Sequence, residues 1–234
     1  MGILMFRTGV RFPTSPLHGD ALLLHGRGEG FKSPILHIII SIMKSDFSIR
    51  KTSKNEIKEL LYTFHYLKDE SKDFKSGYNY GLYKENDCVG ACIFTKIPVP
   101  EIAVGAFGLK REEQDGLYEL SRLCIHPEIQ SGEYNITSWF VSRCIKLFKK
   151  ETNVRVILSY ADSSRHSGTI YKACNFKYYG LTKPKKDFYY ADGTKHSRGS
   201  VKGVAGEWRE RTRKHRFLMV FDKKLNVLWE EIDF

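Results

Sequence analysis

The chain has 234 residues, 41% of them hydrophobic and 13% aromatic, which suffices for one sizeable folded domain and excludes a disordered chain. Its net charge of +11 is concentrated, since residues 183–224 hold 13 Lys and Arg against 5 Asp and Glu, an excess of +8. Such a local basic bias fits a polyanionic partner, because Lys and Arg displace counterions from backbone phosphates; a solvated lysine-rich surface is the plain alternative. The five cysteines (Cys88, Cys92, Cys124, Cys144 and Cys174) are odd in number and sit among apolar neighbours, the pattern of reduced, buried thiols in a cytoplasmic protein. Cys88 and Cys92 lack the second Cys/His pair that a zinc site needs.

The opening stretch, residues 1–42, has no steady period of either two or 3.6 residues. Its apolar run over 35–42 falls far short of the roughly 20 residues a membrane span requires, and no small-residue cleavage site follows it. "GVRFPTSPLH" resembles the translated 3′ end of a tRNA gene. The expectation is therefore a non-native or disordered extension over 1–42, with the natural start at Met43 and a single domain over 43–234.

Thr52-Ser53 ahead of Lys54-Asn55-Glu56 marks a helix start, and Ile57, Leu60, Leu61 and Phe64 follow at helical spacing. "YNYGLYKENDCVGACIFTK" alternates as two strands around a turn at Glu85-Asn86-Asp87, and Pro98 and Pro100 close the second strand. "GLYELSRLCI" is a further strand, stopped by Pro127. "GEYNITSWFVSRCIKLFKKE" is a helix whose apolar face carries Ile136, Trp139, Phe140, Cys144, Ile145 and Phe148. "NVRVILSYAD" is a strand, "GTIYKACNF" a short helix and "KYYGLT" a strand. The basic stretch "KPKKDFYYADGTKHSRGSVKG" predicts a hairpin turning at Asp192-Gly193, and "HRFLMVFD" and "NVLWEEI" predict two closing strands. Helices interleaved with strands in this order give an α/β fold, a mixed sheet in one domain with a basic β-hairpin region over 183–224.

The strand, helix, strand and "GTIYKACNFKYYG" sequence resembles the second half of the GNAT acyltransferase fold. "ELSRL", "NITSWFVSRCIK", "SYAD" with "GTIY" behind it, and the early "HY" at 65–66 resemble more closely the phage Mom DNA-modification proteins. The resemblance covers roughly residues 57–217. It implies a GNAT-like central sheet flanked by helices and a transferase that converts N6 of adenine in phage DNA to a carbamoylmethyl (acetamido) form, protecting it from host restriction in the host cytoplasm. It also implies double-stranded DNA as partner, no membrane, and iron and an acyl donor such as acetyl-CoA as candidate cofactors. An acetyl-CoA-dependent N-acetyltransferase acting on a small amine or a protein is the alternative with the same fold. The phosphate loop expected of such an enzyme is replaced here by "EIQSGEYNITSW", which has the single glycine Gly132 and no phosphate signature.

Asp162 ends a central strand, where open α/β sheets gather their ligand sites, and can accept a proton or bind a metal. Its plain reading is a helix N-cap, a role for which Ser163 and Ser164 compete. By resemblance Tyr171 protonates a departing thiolate; otherwise it is an aromatic packed on the sheet. His65 and Tyr66 end the first helix as a half-buried cap, or, by resemblance, join Asp162 as N and O ligands of iron and place Tyr66 in the catalytic set. Arg122, beside Ser121, is a guanidinium on a strand that needs a partner such as a substrate carboxyl, a phosphate or Glu119. Ser138, Asn135 and Thr137 at a helix start are candidates for holding the donor, or simply cap the helix. Lys185, Lys186, Arg198, Arg211, Arg213, Lys214 and Arg216 are candidates for the DNA backbone. An adenine in duplex DNA must be flipped from the stack before its amine can react.

Overall fold

The computed structural model describes residues 44, 46–67, 74–196 and 199–233; the expectation for residues 1–42 and the candidate Arg198 lie outside them. Strand β1 is Phe47–Lys51 and helix α1 is Lys54–Phe64. The helix starts as its sequence dictates: the Ser53 hydroxyl accepts the Glu56 N–H at 3.3 Å, and the Glu56 carboxylate accepts the Ser53 N–H at 2.8 Å. Strands β2 (Tyr78–Lys84) and β3 (Asp87–Lys96) form the foreseen hairpin, with Glu85 in the left-handed region of the turn at φ 55°.

Helix α2, Pro100–Phe107, was not foreseen. Pro100 ends nothing; it opens the helix at a position where a missing N–H is harmless, and Gly108 closes it at φ 69°. Strand β4 (Leu117–Ile125) leads to a short helix α3 (Pro127–Gly132), again opened by proline, and to the long α4 (Ile136–Glu151). The stretch read as a degenerate phosphate loop is thus the body of α3, a short link and the first turn of α4. Strand β5 (Val156–Asp162), helix α5 (Thr169–Ala173), and strands β6 (Lys177–Leu181), β7 (Lys185–Tyr190), β8 (Gly206–Arg211) and β9 (Lys214–Val220) follow.

The fold is the expected mixed α/β one. Seven strands form one sheet in the order β1-β2-β3-β4-β5-β9-β6, with β4 and β5 parallel and the other neighbours antiparallel. Strand alternation sends Cys92, Phe94, Tyr118, Leu120 and Ile157 to one face, where they pack with Phe140, Cys144 and Phe148 of α4. Phe148 stacks on Phe94 with ring centroids 4.5 Å apart and planes 1° from parallel. The other face carries two clusters. Ala91 and Ile93 pack with Ile57 and Leu61 of α1, while Leu117, Val156 and Leu218 pack with Ala103 of α2. All five cysteines are free; four are buried and Cys88 is half-buried. Among the described residues no helix is long and apolar enough to cross a membrane.

Two expectations at the C-terminal end need correcting. "NVLWEEI" is not a strand: Leu225, Val227 and Trp229 pack on the α2 cluster as irregular chain, tied by single bonds from the Leu228 N–H to Ala106 O and from the Ile232 N–H to Tyr178 O. The turn at Asp192-Gly193 does form, with the Asp192 carboxylate accepting the Thr194 N–H at 2.8 Å, but β7 takes its full partner from β8 and not from the residues just past that turn. The result is a separate two-stranded ribbon, every residue of β8 exposed.

Candidate functional site

The site arises where two parallel strands separate. β4 and β5 pair only over Leu117–Val156, Tyr118–Ile157 and Glu119–Leu158. Beyond that point the fully buried Ser159 hydroxyl reaches across to donate to Leu120 O at 3.1 Å, replacing the lost ladder bond. An extra residue on β4, Ser121, bulges out between the pairs Phe94–Leu120 and Ile93–Arg122. A bulge shifts the alternation by one, so Glu119 and Arg122 come to face the same side.

The gap is a cavity of about 290 Å³, at the small end of ligand sites and suited to a single ring system. Its polar lining comes from the end of α1 (His65, Tyr66), from β4 (Glu119, Ser121, Arg122), from α4 (Thr137) and from the β5–α5 segment (Tyr160, His166, Tyr171). Lys214 of β9 completes it.

Arg122 donates to Ser121 O at 2.7 Å, while its Nε is buried with no hydrogen-bond partner among the described residues. An orphaned guanidinium N–H in a cavity wall is costly unless a ligand oxygen meets it. Burial pushes the Glu119 carboxyl above its ordinary 4.5, against the opposing pull of Lys214, Arg122 and Lys75. Tyr171 is buried and also raised; its hydroxyl is 3.5 Å from Tyr160 O, and its ring packs on Phe217 at 4.9 Å and on Phe176 at 5.6 Å. It is therefore both a core aromatic and a cavity wall, with its phenol held in the protonated form.

His65 is buried, and its Nδ1 accepts the Leu67 N–H at 3.1 Å. Burial, with the charges of Arg122 and His166, pulls its pKa from 6.5 to about 4. A base with a depressed folded pKa stays neutral in the fold while the unfolded chain protonates. The share of stability due to His65 should thus be lost as pH drops from 6.5 towards 4, about 3 kcal/mol in all. Urea unfolding across that range should show the slope, and His65→Gln should make it shallower by that share.

The chain matches the Mom protein family over residues 46–230. It belongs to that family. No curated protein matches it. In fold, this Mom-family chain is similar to a Bacillus subtilis acetyltransferase in complex with CoA, at 13% identity and TM-score 0.46, covering 75% of this chain and 97% of that one. It is similar also to a GNAT family acetyltransferase from Elizabethkingia anophelis with acetyl-CoA bound, at 14% identity and TM-score 0.48, covering 76% and 100%. A third likeness is to the ribosomal-protein-S18-alanine N-acetyltransferase from Escherichia coli, at 10% identity and TM-score 0.44, covering 74% and 93%. Likenesses this distant carry no argument about donor or acceptor.

Of the Mom-family candidates read from sequence, His65, Tyr66, Arg122, Thr137, Tyr171 and Lys214 line the one cavity. Asp162 is not among its lining residues. Its Oδ1 accepts the Ser164 N–H at 3.0 Å and the Ser164 hydroxyl at 2.7 Å, a local turn that draws the carboxylate aside and, despite the opposing effect of burial, lowers its pKa. Nor does Asp162 cap the following helix, which starts instead at Gly168, at φ 87°.

Iron is not supported. Among the described residues no three His, Cys, Asp or Glu side chains group as a metal site requires. Of the expected donors, His65 and Tyr66 line the cavity, whereas Asp162 lies off it with its Oδ1 bonded to Ser164. Asn135 precedes α4 at φ 54° without a side-chain cap bond, and Ser138 donates to Asn135 O at 3.1 Å, so of the donor-binding trio only Thr137 faces the cavity.

The cations divide. Lys185 and Lys186 are exposed on β7, and the Arg211 Nε lies 3.9 Å from Asp187. Arg213 donates to Thr182 O at 2.7 Å. Arg216 turns inward, donating to Gly180 O at 3.4 Å and also to Tyr179 O, and lying 4.3 Å from the Trp229 ring. Sequence reasoning missed Tyr160 and His166 as lining residues and took Glu119 only for a partner of Arg122. The available signal for Glu119 was an acid between Tyr118 and Leu120 on a strand otherwise destined for the core.

Proposed function

We propose that this protein is a transferase that converts N6 of adenine in phage DNA to its carbamoylmethyl form, protecting that DNA from host restriction in the cytoplasm of the host cell. Membership of the Mom family supports the reading. The observation that carries it is the chemistry of the cavity: a proton acceptor, a guanidinium whose Nε–H has no partner among the described residues, and a protonated phenol line a space fit for one ring.

The adenine amine is a poor nucleophile because its lone pair is delocalised into the ring, so its proton must leave as the new bond forms. In this proposal Glu119 takes that proton while N6 bonds to the carbon of the transferred group. The donor's leaving group departs with the bonding pair and takes a proton from Tyr171. Arg122 Nε holds an oxygen of the donor, and Tyr66, exposed at the rim and stacked on His65 at 4.6 Å, supplies a face for the flipped base. Asp162 acts through the turn that carries His166 into the cavity wall, its backbone carbonyl accepting the His166 N–H at 3.0 Å.

The test is to express the chain in cells and digest their DNA to nucleosides. A deoxyadenosine heavier by one carbamoylmethyl group is expected by mass spectrometry; unmodified deoxyadenosine alone overturns the proposal. An acetylated small amine or protein in the same cells, with calorimetric binding of acetyl-CoA, would instead support the N-acetyltransferase alternative.

A further inference from the structure

A second cavity of about 440 Å³ adjoins the first, and the two share Glu119, Tyr160 and Lys214 as a common wall. One side of the second cavity is the start of α2 with the residues before it: Pro98, Val99, Glu101 and Ile102. The other is the base of the β7–β8 ribbon, with Lys183, Lys185, Arg211 and Lys214 and the hydroxyls of Thr182 and Thr212. Four cations thus face two acids, Glu101 and Glu119. Glu101 is already paired with Arg111 at 3.0 Å, and burial disfavours charge on Glu119. The Thr182 Oγ1 accepts the Lys214 N–H at 2.9 Å, which fixes the strand edge that carries Lys214.

The ribbon is placed so that one of its faces serves this chamber. Residues alternate along β7 and β8, so Lys185, Asp187 and Tyr189 share a side with Arg211, Arg209 and Glu207, their register partners. The acids on that side are engaged, Asp187 by Lys195 at 2.8 Å and Glu207 by Arg209 at 2.6 Å. Lys183 and Lys185 are exposed. The opposite side of the ribbon carries the aromatics Phe188, Tyr190 and Trp208 and does not line the cavity.

We infer that this second chamber is a phosphodiester subsite, which holds the strand flanking the reacting base and lets that base pass Lys214 and Tyr160 into the first chamber. The inference rests on the reading of the protein as a DNA-modifying enzyme and deepens it. Lys183 and Lys185 neutralise phosphates at the mouth, Arg211 and Lys214 follow inward, and the threonine hydroxyls donate to phosphate oxygens. The strand enters from the ribbon side. The donor then reaches the same reacting centre from the α4 side, where Thr137 lies.

The experiment measures binding of a fluorescein-labelled double-stranded oligonucleotide to the full chain by anisotropy, over a series of salt concentrations. The Lys183→Gln/Lys185→Gln variant should bind about 10-fold more weakly at low salt, and the slope of log K against log salt should shrink by about 1.8, at about 0.9 for each phosphate no longer neutralised. The control Lys146→Gln/Lys150→Gln, which changes two exposed lysines of the groove between β1 and α4, should bind like the unaltered chain. Both variants should melt with the parent, since all four side chains are exposed. If the parent binds and the Lys183/Lys185 variant keeps its affinity and slope, the subsite is wrong while the adenine reading stands. If the parent shows no salt-dependent binding, both fall.

Discussion

Replacing Glu119 with Gln is expected to lower the yield of modified deoxyadenosine by about 10²–10⁴-fold, the range typical of losing a general base. Gln matches the size of the side chain and its hydrogen-bonding reach but takes no proton. The fold should not suffer, because burial already disfavours the charged carboxylate, so a neutral amide relieves a desolvation cost. The raised pKa also gives a signature in pH. The carboxylate form grows as pH climbs through a value above 4.5, and the parent's rate should climb with it; the variant should lack that limb. Melting temperatures of parent and variant separate loss of chemistry from loss of structure. A Glu119→Gln protein that is folded and modifies DNA at the parent's rate would move the base elsewhere in the cavity.

Gly168→Ala should be the most damaging single-methyl change near the site. The glycine has φ 87°, and a Cβ there would lie 2.5 Å from Phe217 Cε2, 2.6 Å from Phe217 Cζ and 3.1 Å from Ala161 Cβ. The Phe217 ring has nowhere to retreat, being fully buried with Tyr171 at 4.9 Å and Tyr178 at 5.3 Å. The left-handed backbone costs about 1–2 kcal/mol for an L side chain and overpacking about 1–3, so a loss of about 2–5 kcal/mol in urea unfolding is expected. Gly193→Ala isolates the backbone share, since it has φ 82° and open space around it, and should cost only about 1–2 kcal/mol. Because Gly168 launches the helix that carries Tyr171, whatever enzyme remains folded should also be slow. A Gly168→Ala loss no larger than that of Gly193→Ala would mean that the α5 junction adapts freely.

Local signals carried much of this architecture. The Ser53–Glu56 box, the alternation of β2 and β3, and the apolar stripe of α4 are each written within a few residues, and each folds as read. The two proline-led helices were missed because Pro100 and Pro127 were each read only as the stop of a strand, and each opens a helix. The insertion of β9 between β5 and β6 was not legible at all. It pairs Lys214 with Asp162 and Arg216 with Tyr160 across more than fifty residues of sequence, and no local pattern specifies such a pairing. That insertion brings Lys214 into the cavity.

The site divides in the same way. His65, Arg122 and Tyr171 were recoverable from their motifs: His65 ends a helix, Arg122 lies on a strand and Tyr171 lies on the short helix behind β5. Asp162 was placed on its strand correctly, but its direction is set by Ser164 two residues on, a competition that residue type alone does not decide. Glu119 and Arg122 share a face only because Ser121 bulges, a one-residue shift of β4 that the smooth alternation of "LYELSRLCI" does not announce.

The central claim is that one cavity, with Glu119 as its base, alkylates adenine N6 in DNA. Mass-spectrometric nucleoside analysis of DNA from cells making equal amounts of the parent or of Glu119→Gln tests it most directly. A carbamoylmethyl deoxyadenosine with the parent and almost none with the variant is the predicted result. Its absence with the parent, or its equal presence with both, would contradict the account.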